Sequence, residues 1–430
     1  MKRIHYYLIT LAALCLILLL LARLGGNNNR GRGGTSIKPV TTEINLPINA
    51  VKPTVNVYVD NSGSMAGYVN GNTAFKDAVY NYLTDIKISG ITDELNLFYM
   101  GNTSIPKGSD ISDFIAKLQP NQCTTAVTDI ANMFEEVLKR TEQNHISVFV
   151  TDGIFSPGKK DAVNYLTNQQ IGVKRMMAEH LTKYPKTAIM VYQLSSNFQG
   201  TYYNRKDKKT EINEQRPYYI WVMGDVANIA RLKLLTPETS FKGSGIQHSL
   251  TFLPSFEKAV DYAILNTPKV GSFERDKKSP KTSIYNIKRA TGGVHQGNFM
   301  FTIGMDLSLF SILLGDEYLM NTASYARLIN KQPNNDYFIE VEHNTNPSTN
   351  YTHNMKLTTD KISVGELEIV LRNNLPDWVS EINDDEGLDI FKGNAVNKTF
   401  GIKYLVEGIY EAYQMRGNTI YTTMKFNLKR

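Results

Sequence analysis

The stretch V-Y-V-D-N-S-G-S-M, Val57 to Met65, decides the fold. A β-branched and aromatic run reads as a buried strand, and it stops at a carboxylate, Asp60, followed by hydroxyls at alternate positions, Ser62 and Ser64. Gly63 lets the chain turn tightly there without a Cβ clash. A turning backbone can bring the three side chains to one point, which makes half of an oxygen cage. Mg²⁺ takes about six hard oxygens and keeps several waters, so the rest of such a cage must come from elsewhere in the chain.

Working outward, apolar strand-like and amphipathic segments alternate. Val55–Val59, Leu95–Met100, Ile146–Val150, Ala188–Leu194 and Tyr218–Met223 read as strands. Thr73–Ile86, Ile111–Leu118, Thr128–Arg140, Val173–Tyr184 and Val226–Leu234 carry apolar residues at helical spacing, with Asp225 a plausible N-cap. This order predicts an α/β fold with a doubly wound, mostly parallel sheet over residues 51–240. Functional residues of such sheets gather where strands end at their carboxyl edge. Asp60 closes one strand, and Asp152, in Thr151-Asp152-Gly153, follows another. Thr128, in T-D-I-A-N-M-F, offers a hydroxyl where a helix is expected to open.

An apolar strand running into Asp60-x-Ser62-x-Ser64, then Thr128 at a helix start, then a strand ending at Asp152, resembles the von Willebrand factor A domain family and its metal-ion-dependent adhesion site. The resemblance covers about Pro53 to Leu234, under half of the chain. It implies that Asp60, Ser62, Ser64, Thr128 and Asp152 surround Mg²⁺, with Mn²⁺ or Ca²⁺ as substitutes. It also implies a function in binding rather than catalysis, with a protein partner supplying an Asp or Glu carboxylate to the ion's open position. The family often has Gly-Gly or Gly-Ser before the threonine where this chain has Ala126-Val127, so Thr124 and Thr125 stay open as substitutes. Taken singly, each feature has a plain reading as a turn or a helix cap. A metal-dependent hydrolase built on Asp60 and Asp152 is the alternative from the enzyme class, but no histidine neighbours the metal loop in sequence. A metal-free scaffold in an envelope complex is the third reading.

Residues 241–430 show polar-interrupted strand patterns, such as Phe299–Met305, Leu367–Leu371 and Ile420–Phe426, and predict a β-rich α+β domain. One amphipathic helix stands out there, with Ile402, Leu405, Val406, Ile409 and Tyr413 on one face. At the other end, Lys2 and Arg3 precede an apolar run close to the ~20 residues a bilayer span needs, so residues 1–24 are expected to anchor the chain. Residues 25–50 begin with a glycine- and asparagine-rich tether, and the folded bulk is expected outside the cytoplasm.

Composition narrows the partners. The chain has 430 residues and a formal charge of +6, and its densest basic run, Arg205 to Lys209, is interrupted by Asp207, so no nucleic-acid partner is expected. Two cysteines exclude a four-cysteine zinc site, and the seven histidines form no His-Glu-x-x-His helix. Asn383-Asp384-Asp385-Glu386 lacks the spacing of an EF-hand and reads as a solvated acidic loop.

Overall fold

The computed structural model describes residues 51–429 apart from 126–128, 159–160, 237, 239–240, 242–244 and 255–259. The expected membrane anchor and tether at 1–50 lie outside the described residues, as does Thr128. Among the described residues no helix is long and apolar enough to cross a membrane.

Strand β1 (Thr54–Asp60) lies between β2 (Leu95–Met100) and β4 (His145–Thr151) and is parallel to both. The short β3 (Ser104–Pro106) edges β2 in the antiparallel sense. Alternation along the central strands explains why both faces are covered. Val55, Val57 and Val59 point to one side with Ile146, Val148 and Val150, whereas Tyr58 and Phe149 point to the other. Helices α1 (Ala74–Ile88), α2 (Ile111–Lys117) and α5 (Val226–Leu235) bury their apolar stripes on the first face. Helices α3 (Ile130–Lys139) and α4 (Ala162–Lys183) cover the second, where Phe134 meets Trp221 edge to face at 5.4 Å. Such an aromatic pair is worth about 0.5–1.5 kcal/mol beyond its buried area.

The fold is mixed α/β with a parallel centre, and the expectation of a mostly parallel sheet holds only there. The seven-stranded order is β3-β2-β1-β4-β6-β5-β7, and every pair beyond β4 is antiparallel. The cause is a long hairpin. Strands β5 (Thr187–Tyr203) and β6 (Lys209–Asp225) each run 17 residues and are joined by a turn in which the Asn204 carboxamide accepts the amides of Lys206 and Lys208. Direct hairpin closure puts β6 beside β5, so the crossover needed for another parallel neighbour is absent from this joint. Polar residues of β5 beyond Leu194 have partners that hide their strand character. The Ser196 hydroxyl accepts the Phe75 amide at 2.9 Å, and Asn197 accepts that of Ala74 at 3.0 Å, so both satisfy the first turn of α1.

The chain beyond residue 240 returns to this sheet. Strand β7 (Ile246–Phe252) pairs with β5 at its edge, and the helix Ile402–Met415 packs along α4 on the second face. All five apolar residues expected on one face of that helix are buried. Gly408 permits the close approach, because a Cβ there would stand 2.7 Å from the Gln170 carbonyl oxygen. The remaining strands form six- and four-stranded sheets, mostly antiparallel, whose buried Phe301, Ile303, Ile369, Met424 and Phe426 continue the first-face core, and a two-stranded parallel pair, Asn383–Asp384 with Thr399–Phe400.

Candidate metal centre at the carboxyl edge of the sheet

Parallel pairing of β1 with β4 sets their carboxyl ends side by side, and each ends in oxygen-bearing residues. Asp60 is the last residue of β1 and 1% exposed; Asp152 follows β4 and is 3% exposed. Ser62 and Gly63 leave the strand toward a short 3₁₀ turn, Gly63–Gly67. That turn is pressed onto the hairpin, since a Cβ on Gly67 would overlap the Phe198 ring. The loop is also tied to residue 125, where the Gly63 amide donates to the Thr125 carbonyl at 3.1 Å. Asp60, Ser62, Ser64 and Asp152 therefore line one cavity of about 290 Å³, together with Thr124 and Thr125.

The hydrogen bonds orient these groups without satisfying them. Asp60 accepts the Ser62 amide at 2.8 Å on Oδ1 and the Thr151 hydroxyl at 2.7 Å on Oδ2. The Ser62 and Ser64 hydroxyls stand 3.1 Å apart. Asp152 accepts the Ile154 amide at 3.2 Å on Oδ1, while its buried Oδ2 meets no donor among the described residues. Burial, and after it the neighbouring Asp152 carboxylate, pushes Asp60 up to about 7. Burial raises Asp152 as well, although the nearby Ser64 hydroxyl pulls the other way. Two buried acids, one with an oxygen that meets no donor, beside the Ser62 and Ser64 hydroxyls supply the hard oxygen donors of a Mg²⁺ ligand set. The residues present fit such an ion.

Of the expected ligands, four converge on the cavity and the fifth, Thr128, lies outside the described residues. The helix that follows begins at Ile130 and is capped by Asp129, which accepts the Ala131 amide at 3.0 Å; the expected helix start at Thr128 is corrected to that extent. Thr151 was readable only as part of a turn, yet it is the donor that fixes the Asp60 carboxylate. Its hydroxyl also accepts the Gly153 amide at 3.1 Å, so one oxygen joins both strand ends. Thr151→Val should lower unfolding stability by about 1–3 kcal/mol, because both partners stay buried without it. Urea unfolding checks this; a change within error would mean the link is replaceable.

Among the described residues no histidine lines the cavity. His145 starts β4, at the end of the strand away from Asp152, and turns to the Arg140 carbonyl. The Cys123 thiol is pushed up to about 12, by burial first and then by Asp60 and Asp152, so it is protonated near neutral pH. Among the described residues no group of three or more His, Cys, Asp or Glu side chains stands in metal-holding geometry; the carboxyl-edge site relies on two acids plus hydroxyls.

Comparison with protein-family models, curated proteins and solved structures gives no match.

Proposed function

We propose that this chain is a binding protein that captures a protein partner through a divalent cation, Mg²⁺ first, at the carboxyl edge of the sheet. Asp60, Ser62, Ser64 and Asp152 would hold the ion, with Thr128 as the remaining ligand. The observation that carries the reading is the buried, donor-less Asp152 Oδ2 lining the same cavity as Asp60, with both acids shifted toward protonation. When bound, the ion supplies an open coordination position for a guest oxygen. The walls of the cavity keep both acids buried. A guest carboxylate suits the position, because two protein acids only just balance a divalent charge. The apolar run at Tyr6 to Leu24 supports anchoring in a membrane, with the folded part facing the envelope.

The test is capture of envelope proteins on the immobilised full-length chain in detergent, with Mg²⁺ and then with a chelator. Proteins retained in Mg²⁺ should elute in chelator and should not bind Asp60→Ala. Retention indifferent to both the chelator and the variant would overturn the reading.

A further inference from the structure

A second group of ligand-type side chains lies in the four-stranded sheet, on elements that take no part in the site above. His343 ends the strand Phe338–His343, and His353 begins its antiparallel neighbour His353–Thr359. The two are directly opposed across the ladder and close the base of the loop between them, with ring centroids 5.0 Å apart. Asp316, the first residue of the helix Asp316–Met320, faces both. Its Oδ2 stands 3.5 Å from Nε2 of His343, and its Oδ1 3.8 Å from Nε2 of His353.

His353 is the unusual member. Its side chain is 1% exposed, whereas His343 and Asp316 are 56% and 50% exposed. Its Nδ1 lies 2.9 Å from the Thr352 hydroxyl, which already accepts the Leu307 amide and reaches the Met305 carbonyl at 3.4 Å. With the hydroxyl proton directed to that carbonyl, the ring proton sits on Nδ1 and Nε2 is a bare lone pair. That Nε2 is buried and has no hydrogen-bond partner. A lone pair facing a carboxylate puts two acceptors together with nothing between them. A hydroxyl on one ring nitrogen and an open lone pair on the other is also how ligating histidines are oriented.

We propose that His343, His353 and Asp316 form a site for a borderline divalent transition ion, Zn²⁺ foremost. Two imidazoles and one carboxylate are ligands that suit zinc and its neighbours far better than Mg²⁺ or Ca²⁺. As they stand, the three are spaced for an ion pair. Ligand atoms ~2.0–2.1 Å from a shared tetrahedral ion lie roughly 3.4 Å apart. The three are therefore not yet in metal-holding geometry, and each carboxylate–imidazole pair must close by up to a few tenths of an ångström, with the two Nε2 atoms brought to face one point. The two exposed members can swing to do this, while the buried His353 stays fixed. Three protein ligands at a half-exposed place leave the fourth position to water. The bound ion would pin the base of the 344–352 loop to the start of the Asp316–Met320 helix.

The full-length chain in detergent, stripped with chelator and kept in excess Mg²⁺ to occupy the oxygen site, is titrated with Zn²⁺ by calorimetry and with Co²⁺ by visible absorption. One saturable equivalent of Zn²⁺ is expected, with Co²⁺ developing ligand-field bands at the same stoichiometry. His343→Gln and Asp316→Asn, both at exposed side chains, should each weaken binding by more than about 100-fold, beyond the 10–100-fold typical of losing an outer-shell partner. Their circular dichroism should match the parent. His353→Gln should do the same, and the two exposed variants decide the matter if it does not fold. Absence of saturable Zn²⁺ binding in excess Mg²⁺, or binding that survives both exposed variants, would overturn the site. Asp60→Ala should leave this titration unchanged, so either metal site can fail without the other.

Discussion

Asp152→Asn should raise the thermal midpoint of the metal-free chain at about pH 8 and abolish the further rise that Mg²⁺ gives the parent. Both acids are buried in one cavity, and burial followed by the charge of Asp152 pushes Asp60 up to about 7. A carboxyl whose folded-state value lies above its ordinary 3.8 holds a proton in the native state that the unfolded chain would release. Its contribution to stability is therefore full at acid pH and is lost as pH rises through about 7. Without metal, stability should decline across that window; with Mg²⁺ the decline should flatten, because the ion binds the ionised pair in the native state alone. An ion at 100 times its dissociation constant adds about 2.7 kcal/mol. In a chain this long each kcal/mol moves the midpoint by about 2 °C, so a shift of roughly 5 °C is expected. Thermal scans of parent and variant, with and without Mg²⁺ between about pH 5 and 8, give the answer. A metal-free midpoint that climbs over this range, or an Asn variant that responds to Mg²⁺ as the parent does, would contradict the pairing of these acids around a cation.

Arg216→Met should cost about 3–5 kcal/mol of unfolding stability while making the carboxyl-edge site bind Mg²⁺ a few-fold more tightly. Arg216 lies on β6, is 2% exposed and stacks over the Tyr202 ring at 5.1 Å. Its Nη1 donates to the carbonyls of Ala395, Val396 and Lys398 at 3.1, 2.7 and 2.9 Å. Hydrogen bonds to a charged group are worth about 1.5–3 kcal/mol each, and here one nitrogen is shared among three, so the sum falls short of three full bonds. Methionine keeps the volume but leaves those carbonyls buried without a donor. The guanidinium also lowers Asp152, so removing it takes away a positive charge that opposes an incoming cation. Arg216→Lys should recover only part of the stability, since an ammonium does not stack as a plane. Denaturant unfolding together with Mg²⁺ calorimetry separates the two effects. A variant that is destabilised yet binds Mg²⁺ more weakly would break the electrostatic half of the argument.

The parts of the molecule that sequence made legible are those governed by local pattern. Val55–Val59 and Ile146–Val150 announce strands because all but Asn56 and Ser147 are apolar or aromatic, and parallel pairing sets the acids that follow them, Asp60 and Asp152, at one edge. The long hairpin was hidden because Ser195, Ser196 and Asn197 break the apolar run for reasons that lie outside the strand, two of them serving the start of α1. Arg216 was illegible for a similar reason. A charged residue between Gln215 and Pro217 reads as solvated until a segment nearly 180 positions later supplies its acceptors. The His343–His353 pair depends on antiparallel register, and periodicity does not reveal which residues of two separate strands will face each other.

The β5–β6 hairpin has one more consequence. At about 3.3 Å per residue its 17-residue arms span roughly 55 Å, from the level of the amino end of β4 to beyond the carboxyl edge of the sheet. Tyr203 and Asp207, at its tip, form part of the wall around Asp60. Beside them the Arg205 amide is fastened to the Gly387 carbonyl at 2.8 Å, and the Asn204 carboxamide to that of Leu388 at 2.8 Å. The wall on that side of Asp60 is therefore braced by the turn at 384–389, about 180 residues further along the chain.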